Sequence, residues 1–318
     1  MAGQKPPRLQ EGMTLGVVAP SSPVLENADV NRGVAGLERL GFKLAFGGHA
    51  RDSRGYLAGQ DGERADDFLT MLERDDINAV ICLRGGYGAA RTLNALRTPE
   101  RRARLARLAG QSPKAVIGYS DITMIHALVG RELGWTSFYG PVVTSFARAT
   151  DYTLAAFRRA LLETEPFDIL PDPDDPYVET IVPGAVEAEL AGGCLSLVAT
   201  TIGTPWEIDL RGKLFFFEDV HEEPYGIDRV LTHLLAAGKL QECAGIVIGE
   251  HADCRQRTPT NTIGLGDVFN DLIRPLGVPT IYHLPIGHGK HQATLPLGVR
   301  ARLDATNQTL RILEPGVR

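Results

Sequence analysis

The sequence predicts an α/β protein built in two domains. Three observations carry that prediction. The chain has 318 residues, more than one hydrophobic core usually serves. Its first half alternates short apolar runs with helically spaced segments, the rhythm of parallel strands joined by crossover helices. The same rhythm resumes after a break near residue 165 and ends in two alternating runs that read as an antiparallel hairpin, which makes the second sheet a mixed one.

The elements follow in order. Thr14–Pro20 reads as a buried strand ending in a turn, Asp29–Leu40 as a helix closed by Gly41, and Phe42–Phe46 as the next strand. Arg64–Glu73 is helical, Ala79–Leu83 a near-continuous apolar strand, Ala89–Leu96 a helix and Ala115–Tyr119 a strand leading into a helical run from Ile122. The break is Leu170–Pro176, rich in Pro and Asp and without an apolar period. Residues 1–165 are therefore read as the first domain, 166–185 as a linker and 186–318 as the second domain. In the latter, Glu187–Leu190, Lys213–Phe217, Gly245–Gly249 and Thr280–Leu284 read as strands. Leu195–Ile202, Ile227–Ala237 and Val268–Leu276 read as helices, and Val299–Leu303 and Thr309–Leu313 as the hairpin around Asn307.

Composition narrows the function. Hydrophobic content is 43%, charged content 23% and the formal charge −6, ordinary for a soluble globular chain. A negative chain without clustered basic residues is not built for nucleic acid. The densest basic run, with Arg97, Arg101, Arg102, Arg104 and Arg107 at helix-like spacing, reads as a solvated helix face. The N-terminal MAGQKPPRLQEG lacks the apolar core of a signal peptide. No stretch approaches the roughly 20 apolar residues that span a bilayer. The expectation is a cytoplasmic protein without membrane contact. Cys82, Cys194, Cys243 and Cys254 form no CxxC pair, so they read as reduced thiols rather than zinc ligands.

In an open parallel sheet, ligands bind beyond the carboxyl ends of the strands. After Ala79–Leu83 comes Arg84-Gly85-Gly86-Tyr87-Gly88. Its glycines read either as a flexible turn or as a nest of backbone N–H groups for an anion. After Ala115–Tyr119 comes Ser120-Asp121. Ser120 is either a helix N-cap or a nucleophile on a sharp strand-to-helix turn, with the Asp121 N–H at the helix start. After Lys213–Phe217 comes Glu218, costly to half-bury without a partner, followed by Asp219–Glu223, read as an ordinary polar loop. After Thr280–Leu284 comes His288, between Gly287 and Gly289. Alone it would be a surface or capping histidine. Together these ends supply nucleophile, carboxylate, imidazole and amide donors, the set that serine acyl transfer needs. A metal site built from Glu250, His251, His283, His288 and His291 shows neither HExxH nor HxH spacing. A non-catalytic protein holding an anion on the Gly86 nest is the third reading.

The motifs VVAPSSP (17–23), LRGGYGAAR (83–91), IGYSDIT (117–123), GGCLSLV (192–198), IGTPWEIDLRGKLFFFEDV (202–220), EEPYGIDRVLTHLLAAG (222–238) and GHGKHQATLPLG (287–298) run in one order across nearly the whole chain. On them the chain resembles the LD-carboxypeptidases, a serine peptidase family that includes muramoyl-tetrapeptide carboxypeptidases and microcin C immunity peptidases. The resemblance implies two α/β domains with the active site in the cleft between them, usually as a homodimer. It implies Ser120 as nucleophile, His288 as general base and then acid, and Glu218 as the orienter of His288. The backbone N–H groups of Gly86 and Asp121 would hold the oxyanion, and neither metal nor cofactor is required. The segment 221–231 looks more like the cell-wall recycling enzymes. The implied substrate is then murein tetrapeptide, a small peptide that loses its terminal D-alanine. The alternative within the family is an acyl-nucleotide amide, for which Trp206 would be the platform if it were not core. A carboxypeptidase must bind a free carboxylate, and by charge Arg84 and Arg229 are its candidate partners, or else members of structural ion pairs. Some relatives carry Asn where this chain has Cys194, which reads as a packed small residue.

Overall fold

A computed structural model describes residues 3–257 and 263–318. Five parallel strands build the first sheet: β1 (Thr14–Val18), β2 (Lys43–Phe46), β3 (Ala79–Cys82), β4 (Ala115–Gly118) and β5 (Ser137–Tyr139), in the order β2-β1-β3-β4-β5. Helices α1 (Asn27–Arg39), α2 (Asp61–Glu73), α3 (Ala89–Ala95), α4 (Pro99–Ala109), α5 (Thr123–Leu128) and α6 (Asp151–Leu162) complete this half. Alternate residues of β3 feed two cores. Ala79 and Ile81 join Val30 and Leu37 of α1, and Val80 and Cys82 join Phe68 and Leu72 of α2. Burial on both faces is why the run is continuously apolar. The strand order reverses between β1 and β3, which opens a crevice beyond their carboxyl ends.

Arg97, Arg102 and Arg107 of the arginine run are exposed as expected, but Arg101 and Arg104 are not. α4 packs on α2, where Asp66 and Glu73 lie two turns apart on one face. Arg101 Nη2 sits 2.7 Å from Asp66 and Arg104 Nη2 sits 2.6 Å from Glu73, with the two arginine side chains only 21% and 18% exposed. These two arginines form a seam between the helices.

The second sheet contains β6 (Phe167–Ile169), β7 (Glu179–Val182), β8 (Ala185–Cys194), β9 (Leu214–Val220), β10 (Gly245–Ala252) and β11 (Thr280–Leu284). Strands β8 to β11 are parallel neighbours, connected through α7 (Leu195–Thr201), α8 (Pro224–Ala236) and α9 (Leu265–Leu272). Then β12 (Leu295–Leu297) leaves this sheet and adds antiparallel to β5, at the edge of the first one. Pro296 fits there because an edge strand does not need its N–H. The expected hairpin forms as β13 (Arg300–Asp304) and β14 (Thr309–Ile312), and the full order is β6-β14-β13-β8-β9-β10-β11-β7. Residues 166–185, read as a linker, carry both edge strands of this sheet. Phe167, Ile169 and Ile181 are buried, but each flank of the Pro/Asp run is too short to display a period.

One apolar cluster runs through both sheets and joins Ile117, Phe138 and Tyr139 to Leu214, Phe216 and Val247. Strand alternation then decides where the acids at the end of β9 point. Phe215 and Phe217 face α8 and its core, while Leu214 and Phe216 face the first sheet. Glu218 lies on the Phe216 face, so it enters the boundary between the sheets. Asp219 lies on the other face.

Candidate active site

After β4 the chain turns through Tyr119 into a short 3-10 turn, Ser120–Ile122, and then α5. Ser120 has φ +65°, a left-handed conformation costly for any residue with a Cβ. No amide among the described residues donates to its hydroxyl, so Ser120 is not an N-cap. Three contacts fix the strained turn. Thr123 Oγ1 donates to the Ser120 carbonyl at 2.7 Å, the Cys194 N–H donates to that Thr123 oxygen at 3.0 Å, and the Ser120 N–H donates to Tyr139 Oη at 3.1 Å.

Asp121 was expected to contribute its N–H. Its side chain is also structural: buried Oδ2 accepts from Ser21 Oγ at 2.6 Å and from the Ala89 N–H at 2.8 Å. One carboxylate thus staples the loop after β1, the glycine loop after β3 and the turn after β4. Burial pushes this carboxyl above the usual range, opposed by the bonds from Ser21 and Ala89. The glycine loop lies against the turn, since a Cβ on Gly85 would sit 3.3 Å from Ser120 Oγ. The Gly86 N–H makes no hydrogen bond among the described residues, and the Tyr87 N–H is taken by Ser22 Oγ at 3.0 Å.

On the other side of the boundary, His288 Nδ1 lies 2.7 Å from Glu218 Oε2, and Glu218 is 0% exposed. The flanking glycines have a steric cause. Gly287 adopts φ +117°, and a Cβ there would fall 2.3 Å from Glu218 Oε2. A Cβ on Gly289 would fall 1.3 Å from Glu250 Oε2. The backbone on either side of His288 is therefore flanked by two carboxylates that occupy the space of the missing side chains. Tyr119 packs on the His288 ring at 4.8 Å between centroids. Ser120 Oγ is not itself hydrogen-bonded to the imidazole, as is common for catalytic pairs without substrate.

Glu250 escaped the sequence reading except as a metal ligand. Its Oε2 is buried without a hydrogen-bond partner among the described residues. Burial first, then the Asp172 charge, raises its carboxyl from 4.5 to about 7. The folded state holds this proton more tightly than the unfolded chain. Stability from this group is therefore present at acid pH and lost as pH rises from about 4.5 towards about 7. Melting temperatures across that window should fall less for Glu250→Gln than for the native protein; parallel curves would show that Glu250 is not the titrating group.

Other expectations resolve differently. Asp219 is buried, not part of a polar loop: it ends β9 and accepts the Ser196 N–H at 2.9 Å, holding the start of α7. Cys194 is packed as expected, and burial followed by Glu218 keeps its thiol protonated. Trp206 is core. Arg84 stays at the site: its Nη1 donates to the Pro23 carbonyl at 3.1 Å, and its Nη2 would lie 3.6 Å from a Cβ on Gly86. Arg229 is exposed on α8, stacked over Tyr225 at 5.9 Å. The five-residue metal set does not assemble among the described residues. The closest grouping with His291 is Asp172 and Asp174, where the Lys290 ammonium already holds Asp174 at 2.6 Å.

A hydroxyl on a strained turn, a buried carboxylate paired with an imidazole, and free loop amides, facing each other across two α/β sheets, are the furniture of a hydrolase. Sequence comparison narrows the class. Residues 15–140 match the LD-carboxypeptidase N-terminal domain and residues 187–303 its C-terminal domain. The chain belongs to the LD-carboxypeptidase family. It is 36% identical to the probable murein peptide carboxypeptidase of Bacillus subtilis, over 98% of this chain and 95% of that one. Its fold is similar to that of the muramoyltetrapeptide carboxypeptidase of Oxalobacter formigenes (TM-score 0.79, 28% identity, 93% of this chain and 98% of that one). The fold is also that of MccF in complex with glutamyl sulfamoyl guanosine (TM-score 0.88, 23% identity, 99% and 100% covered). The protein is accordingly a carboxypeptidase. Among the described residues no helix is long and apolar enough to cross a membrane.

Proposed function

We propose that the protein removes the terminal D-alanine from murein tetrapeptide through an acyl-enzyme on Ser120. The observation that carries this reading is the pair formed by buried Glu218 and part-buried His288, 2.7 Å apart, facing a serine held at φ +65°. In the proposed cycle Glu218 accepts the Nδ1–H of His288 and fixes the tautomer in which Nε2 is the base. His288 takes the Ser120 proton as Oγ attacks the carbonyl of the penultimate residue. The Gly86 and Asp121 amides stabilise the tetrahedral oxyanion. His288 then protonates the departing D-alanine nitrogen, and water activated by the same imidazole hydrolyses the ester. The relatives named above for murein peptides support this substrate. The burial of Trp206 argues against a nucleobase platform there.

The test is incubation with murein tetrapeptide, following free D-alanine by mass spectrometry. Release by the native protein supports the reading; no release, with turnover of an acyl-nucleotide amide instead, overturns the substrate. Arg84 is assigned to the substrate's free carboxylate. Arg84→Met should raise KM roughly tenfold to a hundredfold, the worth of a charge-assisted hydrogen bond, with a smaller change in kcat. An unchanged KM would remove Arg84 from binding.

A further inference from the structure

The geometry points to Tyr139 as a positioning residue that couples the nucleophile turn to the orienting carboxylate across the boundary between the sheets. The inference rests on the Ser120–Glu218–His288 reading above. Tyr139 ends β5, paired in register with Gly118 of β4, so its strand neighbour is the last residue before the nucleophile turn. Its side chain is 1% exposed and reaches out of the first sheet to pack on Phe216 of β9, at 5.1 Å between ring centroids. There its hydroxyl lies 2.5 Å from Glu218 Oε1 and 3.1 Å from the Ser120 N.

A phenol has one proton. Burial, and then the Glu218 charge, holds that proton on far above the ordinary tyrosine range. The bond directions are therefore fixed: the Ser120 N–H donates to Tyr139 Oη, and Tyr139 O–H donates to Glu218. The chain runs from the strained nucleophile backbone to one carboxylate oxygen, while His288 occupies the other.

Two consequences follow. The Ser120 N–H is committed to Tyr139 and is not an oxyanion donor, which leaves that task to neighbouring amides. Glu218 also takes hydrogen bonds from only two side chains among the described residues, Tyr139 and His288. The phenol donor withdraws charge from a carboxylate that no solvent reaches, and so sets how tightly the carboxylate–imidazole pair binds its proton. The other titratable groups around the pair are Cys194 on β8, Asp219 beside it on β9, Glu250 on β10, Cys254 beyond β10, Tyr119 after β4 and His126 on α5, with Arg84 at the rim. His126 is neutral near pH 7, its proton affinity pushed down to about 4 by burial. Glu250 does titrate nearby, but equally in native and variant proteins, so their difference isolates the phenol.

The experiment compares kcat, KM and the pH profile of kcat/KM for D-alanine release in the native protein, Tyr139→Phe and Ser120→Ala. Tyr139→Phe should lose roughly tenfold or more in kcat with KM little changed. Its acidic limb should move to higher pH, because a pair deprived of a donor binds its proton more readily whichever partner carries it. If the Phe variant does not fold by thermal melting, 3-fluorotyrosine at 139 keeps the shape and strengthens donation, and the limb should then move to lower pH. A merely structural tyrosine would leave both limbs in place, and an unmoved limb with native kcat overturns the proposal. Persistent release by Ser120→Ala would instead overturn the underlying triad, independently of Tyr139.

Discussion

Ser120→Ala is expected to cut D-alanine release by roughly 10⁴-fold or more, the scale seen when a triad member is removed and only binding and oxyanion donors remain. The fold should survive unchanged. The serine hydroxyl has no hydrogen-bond partner among the described residues, so its removal leaves nothing buried and unpaired. Alanine also bears the same cost as serine at φ +65°. Glycine does not bear that cost, so Ser120→Gly should be equally inactive yet melt higher than both, by a margin on the order of 1 kcal/mol. A stabilised, inactive glycine variant would separate strain retained for the reaction from strain tolerated by accident. A glycine variant that melts lower than the serine protein would show that the turn is not strained.

Gly287→Ala should damage the Glu218–His288 pair directly. The new Cβ would fall 2.3 Å from Glu218 Oε2 and 2.5 Å from its Cγ, in a backbone conformation of φ +117°. Glu218 has no exposed surface into which to retreat, so either the loop or the carboxylate must shift. We expect a loss of roughly a hundredfold or more in kcat, because small displacements of a catalytic group are expensive. The stability loss should be about 2–4 kcal/mol, from overpacking added to a disallowed backbone angle. Gly277→Ala is the control. It too has positive φ, +67°, but nothing among the described residues lies within 4 Å of its Cβ, so it should cost only about 1 kcal/mol and retain full kcat. Activity is measured well below both melting temperatures. Native kcat in Gly287→Ala would show that the loop has room the geometry denies.

Much of the fold was legible because apolar runs and helical spacing are long-range patterns. Apart from β5, the parallel strands of both sheets announce themselves, as does the closing hairpin. So do the strand ends at which Ser120, Glu218 and His288 stand. Short or mixed segments stayed silent. β5 spans Ser137–Tyr139 and β12 spans Leu295–Leu297, too few residues for alternation to register, and Tyr139 was lost with β5. The side chain of Asp121 reaches Ser21 and Ala89, 100 and 32 residues away in sequence, a distance over which no local pattern speaks. Asp219 looked like loop because an acid seldom ends a buried strand without a partner, and its partner, the start of α7, is visible only in three dimensions. Arg101 and Arg104 of α4 looked solvated because the acids that neutralise them lie on another helix.

The path of the chain through β12 has a consequence for how the protein can be taken apart. His288 rides on a span anchored at one end by β11 in the second sheet and at the other by β12 in the first. The sheets are sewn together by the same thread that carries the imidazole. A protein of this build is not a pair of interchangeable modules. Cut between its sheets, the leading piece would present the bare edge of β5, with Phe138 and Tyr139 beside it, as a template for indiscriminate pairing. The trailing piece would own a histidine whose loop ends in mid-air. Gene fragments encoding either sheet alone are poor material for recombination, and new specificities are better sought by altering the loops at the rim than by exchanging halves.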